Sequence, residues 1–143
     1  MKYHFRVHRE GKGYWAECVE LEGCRTQANS RRALDRNMRE ALNLYLSEPE
    51  DSSVVVPLPR REVRGLGVAE VAVDPNVAFA SYLRSLRLTH GLTQRQVADK
   101  LGMKHLYSYQ RLERAKTANP ELGTIVALKE VFPEMSLDEL LAG

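Results

Sequence analysis

Residues 2–9 alternate, with Tyr3, Phe5 and Val7 on one side and Lys2, His4, Arg6 and His8 on the other, the period of a half-buried strand. Glu10-Gly11-Lys12-Gly13 supplies turn glycines, and Tyr14 to Val19 is rich in aromatic and β-branched residues, so a hairpin is expected. Gly23 marks a further turn, and Cys24 to Gln27 is long enough for a third strand. The period then changes. Ala33, Leu34, Met38, Ala41, Leu42, Tyr45 and Leu46 recur at three- and four-residue spacings, which predicts a helix capped by Asn29 or Ser30 and packed on the sheet. Its other face carries Arg31, Arg32, Asp35, Arg36, Arg39 and Glu40 and reads as solvated. Residues 48–67 hold three prolines, two glycines and Asp51-Ser52-Ser53, which suits a loop with one short edge strand at Val54-Val55-Val56. Ala69 to Val73 predicts a last strand, so that residues 1–73 form an antiparallel sheet covered by one helix.

From Asp74 onward the pattern is helical. Asp74-Pro75 has the form of a cap followed by proline at the first helical position, and Gly91 fits the stop of that helix. Thr93 and Gln96 have capping-box spacing ahead of Val97, Ala98 and Leu101, and Gly102 closes the second helix. A third helix is predicted over His105 to Arg114, a fourth from the Asn119-Pro120 pair, and a fifth from Ser136 with Glu139. The chain of 143 residues thus reads as α+β, an N-terminal unit over 1–73 and an all-α unit of about five helices over 74–143.

The overall charge of +2 indicates no partner, but its distribution does. Between Arg84 and Lys116 eight basic residues (Arg84, Arg87, Arg95, Lys100, Lys104, Arg111, Arg114 and Lys116) face only Asp99 and Glu113. After Thr117 the balance reverses, Lys129 standing against Glu121, Glu130, Glu134, Asp138 and Glu139. A basic stripe beside an acidic tail predicts an oriented polyanion site. Cys18 and Cys24 match neither a disulfide framework nor paired zinc-ligand spacing, which fits a reducing cytoplasm. The charged start, Met1 to Arg6, and the lack of a long apolar run argue against a signal peptide or a membrane span.

A capped helix, a glycine turn and a second helix inside a basic window are helix-turn-helix organisation. Leu86-Arg87, Gly91-Leu92-Thr93-Gln94, Val97-Ala98, Leu101-Gly102 and Leu112-Glu113-Arg114 together resemble the repressor-type helix-turn-helix family over about 55 residues. Two departures stand out: Gly102 to Glu113 is one residue longer than the usual spacing, and Ala115 replaces the usual glycine. The resemblance implies that Gln94 contacts phosphate or braces the recognition helix. It places Lys104, His105, Tyr107, Ser108 and Arg111 outward toward operator DNA, with Arg95 beside them. Met103, Tyr109 and Leu112 turn inward, and Arg87 with Glu113 forms a structural ion pair. The residue types suit the task, since Arg and Lys neutralise phosphate while Arg, Ser and His donate to groove acceptors.

The N-terminal half is similar to HicB antitoxins through Leu21, Gly23 and Cys24, then Thr26, Ser30, Ala33-Leu34 and the helix to Leu46. That resemblance implies a degraded RNase H-like domain that covers a HicA-type toxin, an mRNA-cleaving protein, beside a DNA-binding half that represses the shared operon. An acidic surface facing a basic toxin is then expected, with Glu17, Glu20 and Glu22 as candidates and Trp15 as an anchor. A residual nuclease is disfavoured, because two-metal hydrolysis needs clustered carboxylates and residues 2–9 contain none. His4 and His8 share a strand face about 13 Å apart, too far for one metal, and read as surface histidines. No catalytic residue, metal or cofactor is expected. At least a homodimer is, because operators mirror protein two-folds. A ligand-responsive repressor without a toxin partner is the competing reading.

Overall fold

The computed structural model describes residues 1–47 and 52–143, so the first four positions of the expected 48–67 loop lie outside the described residues. Four strands, β1 (Lys2–Glu10), β2 (Gly13–Cys18), β3 (Arg25–Ala28) and β4 (Val68–Ala72), make one antiparallel sheet in the order β3-β2-β1-β4. The first strand in the chain is therefore central. Tyr3 and Phe5 of β1, Ala16 and Cys18 of β2 and Val71 of β4 share the buried face. Helix α1 (Arg31–Leu46) covers that face with Leu34, Met38, Leu42 and Leu46, each burial contributing ~1.5–3 kcal/mol. Of the two expected caps, Ser30 is the one used, its hydroxyl accepting from the Ala33 N–H at 3.2 Å.

Five helices follow: α2 (Pro75–Thr89), α3 (Gln94–Lys100), α4 (Leu106–Gln110), α5 (Leu122–Val131) and α6 (Leu137–Leu141). The capping box of α3 is complete, with Thr93 Oγ1 accepting from the Gln96 N–H and Gln96 Oε1 from the Thr93 N–H. Gly91 and Gly102, at φ +66° and +70°, end α2 and α3 in the left-handed region where a side chain is disfavoured. Helix α2 is buried at every position from Val77 to Arg87. Its small residues Ala78, Ala80, Ser81 and Ser85 let neighbours approach all round it. On one flank the Val56 N–H donates to Ser85 Oγ, and on another Tyr82 Oη accepts from the Ser136 N–H ahead of α6. The core accordingly runs without a break from the sheet through α2 to Leu128, Phe132 and Met135.

Several expectations are corrected. Residues Val54, Val55 and Val56 form no strand; the segment runs as an extended strap whose Val56 N–H bonds Ser85 instead of a ladder. Asp74 precedes α2 but its carboxylate caps nothing, because it is taken by the Arg39 guanidinium of α1. The third helix of the all-α unit ends at Gln110 and tightens into a 3-10 turn, Arg111–Glu113. The fourth begins at Leu122, with Glu121 at the cap position rather than Asn119. His4, expected at the surface, is buried at 4% exposure. The strap helps explain it: the Arg60 N–H donates to Glu20, whose carboxylate also bonds the His4 ring on the outer side of β1.

Candidate nucleic-acid interface

Helix α4 presents one polar and one apolar side. Lys104, His105, Tyr107, Ser108 and Arg111 are exposed, whereas Tyr109 and Leu112 are buried and Met103 packs partly against the core. This division follows from sequence, since residues three apart at 109 and 112 point one way and 108 and 111 the other. Gln94, at the start of α3, faces inward and accepts from Gln110 Nε2 at 3.2 Å, so it braces α4 against α3. Arg95, the next residue, is exposed. Arg114 adds a contact that sequence spacing does not reveal, its guanidinium lying 5.4 Å from the ring centroid of Tyr107.

Beneath this surface lies a buried carboxylate, Glu113, at zero exposure. Arg87 grips it with both prongs, Nε to Oε2 at 2.7 Å and Nη2 to Oε1 at 2.9 Å, and also donates Nη1 to the Leu92 carbonyl at 3.0 Å. Arg84 donates to the Glu113 carbonyl at 2.9 Å and stands 3.9 Å from its carboxylate. Burial opposes the Arg87 charge, but the hydrogen bond and charge of Glu113 more than offset it and hold the guanidinium above its ordinary range. The lock ties the 3-10 turn to α2 and so fixes the angle at which α4 is presented. Arg87 pairs with Glu113 as expected, and the correction to the basic stripe is Arg84, which is buried on the same carboxylate; the accessible cations are Arg95, Lys100, Lys104, Arg111, Lys116 and, in part, Arg114. Ala115 stands in place of a glycine and does not adopt positive φ, so the turn after α4 needs no left-handed backbone there.

The four N-terminal candidates do not converge. Trp15 lies on the sheet face opposite α1, stacked on His8 with centroids 4.1 Å apart, and Arg25 stands 5.6 Å from its ring on β3. Glu17 shares that face, 3.6 Å from Arg25 and 3.4 Å from His8, which answers much of its charge. Glu22 is exposed in the turn between β2 and β3. Glu20 is not: its side chain is 2% exposed and its carboxylate takes the His4 N–H, His4 Nδ1 at 3.0 Å and the Arg60 N–H. The expected acidic patch is therefore a mixed surface from which Glu20 has been withdrawn. Short-range pattern cannot foresee that, because the donors come from residues 16 and 40 positions away.

Among the described residues no cluster of side chains has the makings of a metal site, and no helix is long and apolar enough to cross a membrane. The cavities on the sheet are open grooves; one of about 820 Å³ runs past Lys12, Tyr14, Gln27 and Arg36. Residues 78–132 match the family model of a helix-turn-helix domain, a span that begins inside α2 and ends just past α5. Comparison with the curated proteins found no match. The family match points to DNA binding and transcription regulation.

Proposed function

We propose that the chain is an autorepressor with a second, protein-neutralising activity: an antitoxin of HicB type whose α2–α6 unit binds operator DNA while the sheet-and-α1 unit covers a HicA-type mRNA-cleaving toxin. The observation that carries the DNA half is the exposed row Lys104, His105, Tyr107, Ser108 and Arg111, backed by buried Tyr109 and Leu112 and set in place by the Arg87–Glu113 lock. In such a geometry α4 enters the major groove, Arg111 and Ser108 meet base edges, and Lys104, Arg95 and Lys116 meet phosphate. Gln94 serves as a brace. Both activities are binding, without catalysis or cofactor.

The toxin half rests on the order of elements, three strands, a helix and a returning strand of degraded RNase H-like type, and on the sheet face left open around Trp15, Glu17 and the Glu22 turn. Charge complementarity to a basic toxin comes from Glu17 and Glu22, with Glu20 shaping the turn from within. A homodimer is the DNA-binding form, and α5 favours it: only Leu128 of that helix is buried, while Leu122 and Val126 are 82% and 61% exposed on its outside.

The test uses the full chain, because Val73 and Met1 belong to the same core as α2 and a 1–73 fragment would expose them. Band shifts on the chain's own promoter should show specific binding that Arg111→Ala weakens by ~1–3 kcal/mol. Co-expression with the small basic protein encoded beside it should restore growth and co-purify the pair. Specific DNA binding with no captured partner would replace the antitoxin reading by a ligand-responsive repressor, and no DNA binding would remove both.

A further inference from the structure

The register of β2 and β3 places Glu17 opposite Arg25 and Ala16 opposite Thr26. One step further sets Cys18 opposite Cys24, and there the Cys18 N–H donates to the Cys24 carbonyl at 2.8 Å. Residues opposed in this way lie with Cα atoms about 5.5 Å apart and side chains on one face, inside the span that a disulfide bridges. Both thiols are free and buried. A surface cavity of about 540 Å³ has both cysteines in its wall.

We propose that Cys18 and Cys24 form a peroxide-oxidised dithiol, a modification site in which Cys18 is the attacking sulfur and Cys24 the resolving one. A sulfur beside hydrogen-bond donors is a better thiolate than one in apolar packing. The roles follow from that asymmetry. The hydrogen bond from Cys24, assisted by backbone N–H groups and opposed by burial, holds the Cys18 thiol below its ordinary range. The same bond, together with burial, pushes Cys24 upward and keeps its proton in place. In the first step the Cys18 thiolate attacks an oxygen of a hydroperoxide, the O–O bond breaks, and water or an alcohol leaves, giving a sulfenic acid. In the second, the Cys24 sulfur attacks the Cys18 sulfur, the S–O bond breaks, and hydroxide departs with the Cys24 proton as water. Two thiols and one peroxide yield one disulfide, one water and one water or alcohol. The bridge would close the turn that carries Glu20, and with it the anchor of His4 and of the strap at Arg60. Thiol exchange with a cellular dithiol would reopen it.

The test is made on reduced full-length protein titrated with hydrogen peroxide, alkylated, and cut with trypsin. Both cysteines fall in one tryptic peptide, Gly13 to Arg25. The expected product is that peptide from monomeric protein, unalkylated and two hydrogens lighter than its reduced form. Cys24→Ser should abolish it and leave a Cys18 sulfenic acid that dimedone traps, and Cys18→Ser should leave Cys24 unoxidised and fully alkylated on denaturation. Intermolecular crosslinks, a peptide that still alkylates at both sites, or sulfinic acid at Cys18 in the wild type would each overturn the proposal. The wild-type peptide alone decides it if either variant fails to fold.

Discussion

Among the described residues each half of the molecule buries one carboxylate, and the two are satisfied in different currencies. Glu113 faces two guanidiniums, a charge answered by charges on α2. Glu20 faces one imidazole and two backbone N–H groups, a charge answered mostly by hydrogen bonds from β1 and the strap. The first arrangement joins two helices at a set angle, and the second pins an irregular segment over a sheet. A guanidinium fork imposes orientation because it bonds in a plane, which suits the presentation of a recognition helix. Backbone donors impose path instead, which suits a strap without secondary structure of its own.

The comparison breaks first at Glu113. Glu113→Ala leaves Arg87 buried without its partner and should cost ~3–5 kcal/mol in urea unfolding, with a loss below about 1 kcal/mol showing that the lock is dispensable. Glu20→Gln keeps the shape but weakens three bonds, so its expected cost is ~1–3 kcal/mol. Hydrogen exchange should quicken at Arg60 and His4 in that variant and leave α4 untouched; quickening at α4 would mean that the two carboxylates report on one network. Smaller effects separate the halves by pH. Burial, then the nearby Cys18 and Glu20, hold Tyr3 well above the ordinary phenol range, while burial and Glu113 do the same for Tyr109. Phenols raised in the folded state contribute stability that is complete below the unfolded value and is lost as pH rises past it, so stability should fall from about pH 10 upward. Tyr3→Phe and Tyr109→Phe should each flatten that slope by one proton. The smallest effect lies at the surface. The hydrogen bond with His90 holds Glu134 below its usual range, which contributes stability above the unfolded carboxylate value and loses it as pH falls through the folded one. Glu134→Gln should remove this acid-side loss with a change of ~0.5 kcal/mol or less, measured by thermal unfolding at pH 7 and at acid pH.

How legible was this in the chain? Local chemistry was: the Thr93–Gln96 box, the α1 stripe from Leu34 to Leu46 and the period-two face of Tyr3 and Phe5 all depend on neighbours within a few residues. Long-range coverage was not. Alternation says that His4 lies on the face opposite Phe5, but only the fold says that Glu20, held by Arg60 of the strap, meets it there. The Val54–Val56 run has strand composition, yet no ladder is offered to it, and Ser85 of α2 takes its N–H. Asp74 has the form of a cap, but Arg39, 35 residues earlier, competes for its oxygens. For the candidate interface, α4's outward row follows from spacing and the Arg87–Glu113 pair from the family resemblance, whereas the removal of Arg84 from the basic stripe depends on the position of Glu113 in three dimensions. A signal for α2 did exist: the small residues Ala78, Ala80, Ser81 and Ser85 set among Phe79, Leu83 and Leu86 leave no polar face on that helix.

The central position of β1 has a consequence for the order in which the chain is made. On the ribosome β1 and β2 can zip together as neighbours, but the other margin of β1 has no partner until Val68–Ala72 has emerged. For that interval the nascent chain carries an open row of backbone donors and acceptors beside Tyr3 and Phe5, a template for pairing with other nascent chains. Docking of β4 is thus the late, long-range step of synthesis, and a ribosome that stalls before residue 68 releases a chain whose first strand is half clothed.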